Sequence, residues 1–171
     1  PSFLVSTVYK GNLVYRVLIA PILKIPRPAS YLFLCFLIFY ILLRTLKVNN
    51  WLSLVGSLAF GLHSTFFIWI DTGHMSKALT LTFMAGVIAG ILLAYNKKQL
   101  LGALISSISL SWMINAGHPQ ITYYAGIMSL ILVITYCVYA FKDKTLPHYI
   151  KTSIILAAGA LLAVGTNYSR L

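Results

Sequence analysis

Carboxylates are nearly missing from this sequence: Asp71 and Asp143 are its two acidic residues, set against 13 Lys and Arg in 171 positions. Charged residues of both signs amount to 9%, where soluble globular domains carry about 25%. Too little charge is present to coat a water-soluble fold. Cysteine is also scarce, and Cys35 and Cys137 lie inside apolar stretches without CxxC spacing, which reads as small buried hydrophobes rather than a disulfide framework or a metal site. No low-complexity tract occurs. The 11 surplus positive charges are not gathered into a basic, aromatic-interleaved cluster, so they do not point to nucleic acid as a partner. An initiator Met and a signal peptide are lacking at Pro1, and the chain stops soon after an apolar stretch, as expected of a piece of a larger protein.

Hydrophobic residues fill the remainder: they make up 60% of the chain, and the mean hydropathy is +0.89. Charge-free runs cover 28–43, 48–70, 78–96, 99–141 and 152–169. A helix needs about 20 apolar residues to cross the hydrocarbon layer, so the long run 99–141 reads as two spans joined at Asn115-Ala116-Gly117-His118-Pro119-Gln120. The expected fold class is all-α, a polytopic transmembrane helix bundle of about six spans with cores near 29–46, 51–70, 78–95, 100–114, 121–141 and 151–165.

Basic residues fall beside these spans. If the helices alternate, Arg44, Lys47, Lys97, Lys98, Lys142, Lys144 and Lys151 share one side and only Lys77 and Arg170 the other. Cytoplasmic loops are enriched in Lys and Arg, so the loops 71–77 and 115–120 are expected together on the outer face of a bacterial cytoplasmic membrane. The leading segment, residues 1–28, carries Lys10, Arg16, Lys24 and Arg27 and ends at the helix-breaking Pro26-Arg27-Pro28. It is expected to lie along the outer surface as an interfacial segment, ahead of a bundle formed by 29–171.

The two outer loops hold the candidate chemistry. Each opens a helix, and helix N-termini present free N–H groups and partial positive charge to anions. With Lys77 beside one of them, they offer a seat for a lipid phosphate or pyrophosphate; ordinary capping, with Lys77 snorkelling to the headgroups, is the alternative. Asp71 can act as a general base, with His74 three residues on close enough to share the site, or it can cap the turn or pair with Lys77. A divalent metal on Asp71, His74 and His118 is conceivable, but no ligand spacing enforces it. Gln120, Tyr123 and Tyr124 join His118 as groups suited to sugar hydroxyls and rings, although Tyr also favours membrane interfaces for its own sake. Asn115 suits the turn, and its amide can reach across to the other loop. His63 reads as a polar group satisfied between helices, His148 as a plain loop residue, and the scattered glycines as packing positions.

Several stretches together resemble one family. Tyr9-Lys10-Gly11-Asn12, Pro26-Arg27-Pro28, Asp71-Thr72-Gly73-His74-Met75-Ser76-Lys77 and Asn115-Ala116-Gly117-His118-Pro119-Gln120-Ile121-Thr122-Tyr123-Tyr124 are similar to the YfhO-type bacterial membrane proteins. That resemblance implies a longer protein like the GT-C glycosyltransferases. These move sugar from a polyprenyl-phosphate carrier to a cell-envelope glycopolymer or glycolipid acceptor, using a principal carboxylate in an outer loop that would precede Pro1. It carries over to His74, Lys77, His118 and Gln120 as loop positions and leaves Asp71 without an assigned role. A transporter or lipid flippase, expected to show broken helices or paired charges at mid-depth, and a non-catalytic scaffold are the other classes the spans allow.

Overall fold

A computed structural model describes residues 29–168, all helix and connecting turn with no strand among them. The expected interfacial segment 1–28 and the tail with Arg170 lie outside these residues. Seven helices follow one another: α1 (Ala29–Thr45), α2 (Asn50–Gly61), α3 (Ser64–Asp71), α4 (Met75–Tyr95), α5 (Gln99–Ala116), α6 (Pro119–Lys142) and α7 (Leu146–Thr166). The chain divides into two compact units at Leu34/Cys35, within α1; the account below concerns the second.

Four helices, α4 to α7, are long and apolar enough to cross a bilayer, or five spans if α2 and α3 count as one. The count is thus slightly below six. The first expected span reaches only 17 residues as α1, and the second is bent by 40° between α2 and α3. This is a multi-pass helical membrane protein. The break follows from local bonding: the Leu62 N–H caps the end of α2, and the Thr65 N–H donates to His63 Nδ1 at 3.2 Å, so that a new helix starts there. His63 is exposed and caps this break, rather than being satisfied between helices. Pro119 and Pro147 take first-turn positions of α6 and α7, where a missing N–H costs nothing, and the second of them puts the start of α7 ahead of the expected core at 151.

In lipid, apolar side chains gain little by leaving their solvent, so helices associate through close packing and interhelical hydrogen bonds. Helix α4 is the centre of that packing, 67% buried against 11% for α6 and α7. It meets α5 antiparallel along a line of small residues. A Cβ placed on Gly90 would fall 2.7 Å from the Gly102 carbonyl oxygen, and one on Gly86 would strike the Ser109 side chain. The Phe83 and Trp112 rings continue the line edge-to-face at 5.2 Å. Helix α7 packs on α5 in the same manner, with Gly159 against Ser107 and Ala103. At the start of α4 a second cluster gathers Cys35, Phe66 and Ala78 under Phe60, Trp69 and Leu81, and Phe39 stacks on Phe60 at 3.9 Å. Buried hydroxyls of α4 return to their own helix, as Thr80 does to the Ser76 carbonyl at 2.7 Å and Thr82 to the Ala78 carbonyl at 2.9 Å, which satisfies these two groups in an apolar setting.

The connections between long helices are tight and differ by end. After α1, α4 and α6 the chain turns through a left-handed residue, and each time that residue is lysine: Lys47 (φ 62), Lys97 (φ 71) and Lys144 (φ 55). The flanking bonds, such as Val48 N–H to Leu43 O and Lys98 N–H to Leu93 O, are those of a Schellman C-cap. At the opposite end Gly73 and Gly117, both at φ 76, fill the left-handed positions.

The glycine line predicts a contrast. Gly90→Leu must separate α4 from α5, lowering stability to unfolding in mixed detergent micelles by about 3 kcal/mol or more. Gly126→Leu, on α6 with nothing within 4 Å of its Cβ position, should change it by less than about 0.5 kcal/mol. Similar losses at both sites would refute the close α4–α5 seam.

Candidate functional site

Helices α4 and α6 both start at the end of the bundle opposite the three lysine turns, so the 71–77 and 115–120 loops share that end. Each is built alike. After α3 the His74 N–H donates to the Trp69 carbonyl at 2.7 Å and the Gly73 N–H to that of Ile70 at 3.3 Å, with Gly73 left-handed between them. After α5 the left-handed Gly117 donates to the Ile114 carbonyl at 3.1 Å. In both loops the residue after the glycine is a histidine at the N-cap position, and neither ring caps the helix that follows. First-turn N–H groups are thereby left for another acceptor, an arrangement suited to an anion.

The charges of the first loop are placed against their own helices. Asp71 is the last residue of α3, and Lys77 stands in the first turn of α4, the ends where the macrodipole disfavours each sign. Asp71 and His74 are exposed and Lys77 is half-buried. Among the described residues Asp71 and Lys77 form no ion pair.

In the second loop His118 turns inward: its Nδ1 is buried without a hydrogen-bond partner among the described residues, while its carbonyl accepts from the Thr122 N–H at 3.2 Å and hydroxyl at 3.1 Å. Gln120 Nε2 donates to the Tyr124 hydroxyl at 3.2 Å, and the Tyr123 and Tyr124 rings lie 6.0 Å apart. Both rings are well exposed, Tyr123 at 68% and Tyr124 at 50%. Gln120, Tyr123 and Tyr124 therefore form one polar and aromatic surface patch. Asn115 is half-buried, and among the described residues no hydrogen bond runs from it to the 71–77 loop. The two loops share an end of the bundle without a mutual hydrogen bond or ring contact among these residues. No group of three His, Cys, Asp or Glu that could hold a metal ion gathers among them either.

The most developed polar network lies at the other end, around His148, which the sequence analysis reads as a plain loop residue. His148 sits in the first turn of α7, half-buried. Gln99 Nε2, at the start of α5, donates to the Thr152 hydroxyl at 2.8 Å and lies 3.1 Å from His148 Nδ1. The opposite His148 nitrogen is 3.4 Å from the Tyr95 carbonyl. These contacts fit a tautomer in which His148 accepts at Nδ1 and donates from Nε2. Beside them the Tyr95 and Ser153 hydroxyls are 2.9 Å apart, and the Tyr95 ring stacks between Tyr136 at 4.4 Å and Tyr149 at 5.6 Å. The sequence holds a signal for this: His148, Tyr149, Thr152 and Ser153 make a polar stripe at helical spacing over two turns. Toward the loop end, Asn167 Nδ2 joins α7 to the Ser111 hydroxyl of α5 at 2.8 Å.

Comparison with protein-family models, curated proteins and solved structures finds no match to this chain.

The network at the basic end is satisfied internally, so its role is to hold α4, α5 and α7 in register. Gln99→Leu should cost about 1–3 kcal/mol, because Thr152 and His148 lose their shared donor while staying enclosed. Unfolding of Gln99→Leu, Thr152→Val and the double variant should show coupling in a mutant cycle; strict additivity would separate the pair.

Proposed function

We propose that the chain is part of a membrane glycosyltransferase of GT-C type, taking sugar from a polyprenyl-phosphate carrier and passing it to a cell-envelope acceptor. The observation that carries this reading is the repeated loop: left-handed glycine, non-capping histidine, then a long helix with free first-turn N–H groups, twice at one end, with Lys77 beside one start. Such a site is complementary to a phosphate at the membrane surface. The resemblance to YfhO-type proteins, carried by the same two loops, supplies the sugar chemistry.

In this reading the sugar C1–O bond to the carrier phosphate breaks as an acceptor hydroxyl oxygen bonds to C1. The departing polyprenyl phosphate gains negative charge, which Lys77 and the helix starts stabilise. The acceptor proton passes to a base, for which Asp71 and His74 are the candidates among the described residues. Gln120, Tyr123, Tyr124 and His118 orient the sugar or acceptor, with Asn115 shaping the hairpin. The seven basic residues at the other end support a reading in which these loops face outward from a bacterial cytoplasmic membrane.

One observation favours a second reading. The broken α2–α3 span, with His63 at the break, is a feature of transporters that bind substrate near mid-membrane. The two readings part on what they make. A transferase yields glycosylated acceptor, whereas a transporter or flippase moves its lipid or sugar across proteoliposomes unchanged.

Lys77→Ala should raise the carrier-sugar concentration needed for half-maximal transfer by about ten-fold, the loss of about 1.4 kcal/mol of binding. His118→Ala and Gln120→Ala should lower turnover by a similar factor with the melting point unmoved. Loss of stability with intact activity per folded molecule would make the hairpin structural. Topology is checked separately: Cys at Thr72 or Gln120, both exposed, should react with an impermeant thiol reagent from outside intact cells. Reaction only after the cytoplasmic membrane is broken would reverse the orientation.

A further inference from the structure

Helix α7 carries an open groove of about 490 Å³ lined by Leu146, Pro147, Ile150, Lys151, Ile154 and Ile155. The lining falls into two rows, 146/150/154 and 147/151/155, which are adjacent i±4 ridges of one helix. The bundle does not cover it, since α7 is only 11% buried and Ile150 and Ile154 are 52% and 64% exposed. Its walls are hydrocarbon, apart from one ammonium.

We propose that this groove seats an anionic phospholipid, with the phosphate on Lys151 and an acyl chain along Ile150, Ile154 and Ile155. Geometry and charge both point to that occupant. Lys151 lies five residues into α7, about 7.5 Å from its start. Side chains on a helix lean toward its N-terminus, so Lys151 reaches toward headgroup depth while the isoleucines stay at acyl depth. The surrounding end is strongly positive. It carries Arg44, Lys47, Lys97, Lys98, Lys142, Lys144 and Lys151 against the single carboxylate of Asp143.

The same features disfavour a protein helix as occupant. A second copy would bring seven basic residues and one acid to the contact. It would also enclose Lys151 without a carboxylate of its own, and an unpaired buried charge is strongly unfavourable. A lipid phosphate supplies the missing anion with no second positive face. This assignment is independent of the glycosyl-transfer reading, which concerns the opposite end.

The test uses the whole chain in nanodiscs of equal phosphatidylglycerol and phosphatidylcholine, with co-retained lipid counted by native mass spectrometry. A lysine near a charged membrane surface contributes about 1 kcal/mol, so Lys151→Gln should lower retained phosphatidylglycerol by about five-fold. Ile154→Trp, which fills the groove while keeping the charge, should lower it as well. Arg44→Gln removes the same charge from α1 and should leave retention at the wild-type value. The proposal fails if Lys151→Gln retains lipid like wild type, or if Arg44→Gln loses as much, since the attraction would then be diffuse. It fails too if Ile154→Cys forms a disulfide-linked dimer regardless of lipid composition, because a second copy would then occupy the groove.

Discussion

The backbone contact between α4 and α5 at Gly90 and Gly102 is the constraint on which the remaining packing rests. A bilayer removes the usual reward for burying leucine, so proximity must come from shape and from polar contacts. With no Cβ on either helix at the crossing, the two backbones touch, and the contact continues through Gly86 and Ser109 to the Phe83–Trp112 pair. An adjacent face of α5 then receives α7 through Gly159. Helix α6 makes fewer such contacts, and most of its surface faces outward.

The two ends of this assembly use polar groups differently. At the lysine-bearing end, Gln99, His148, Thr152, Tyr95 and Ser153 bond across three helices. At the glycine-bearing end the bonds of the two loops are mostly local, leaving Asp71, His74, Lys77 and one nitrogen of His118 without a structural partner among the described residues. The larger interhelical network thus lies at the lysine-bearing end, with the Asn167–Ser111 bond between α7 and α5 toward the other. A ligand exchanged at one end need not disturb the contacts that keep the helices together.

Much of the fold was legible because charge interrupts hydrophobicity only at the turns. The runs ending near Lys97, Lys142 and Lys144 gave helix boundaries within a few residues; Pro119 marks the start of α6, and Pro147 accounts for a start of α7 that hydropathy places too late. The break after Gly61 was hidden, because 48–70 carries no formal charge and a histidine that caps a helix looks the same in sequence as one that packs. His148 was misplaced for a related reason. A polar stripe states that a helix face has partners but not which helix supplies them, and Gln99 lies 49 residues away. The likeness of the two Gly-His turns was visible as a dipeptide, whereas the left-handed conformation that their glycines share, at φ 76, was not.

The left-handed turns carry a further consequence. An L-residue with a Cβ strains by about 1–2 kcal/mol in this conformation relative to its ordinary one, and glycine relieves that strain at Gly73 and Gly117. At the opposite end three lysines accept it. Each follows the C-terminus of a helix, so the strained backbone is offset in part by the attraction of a helix C-terminus for a cation. The same three residues also add positive charge to that end, the kind of asymmetry on which membrane orientation generally depends. Conformational ease and vectorial information therefore compete at single positions: a chain with glycine at 47, 97 and 144 would turn as readily, yet its two faces would differ less in charge and it would enter a membrane with a weaker sense of direction.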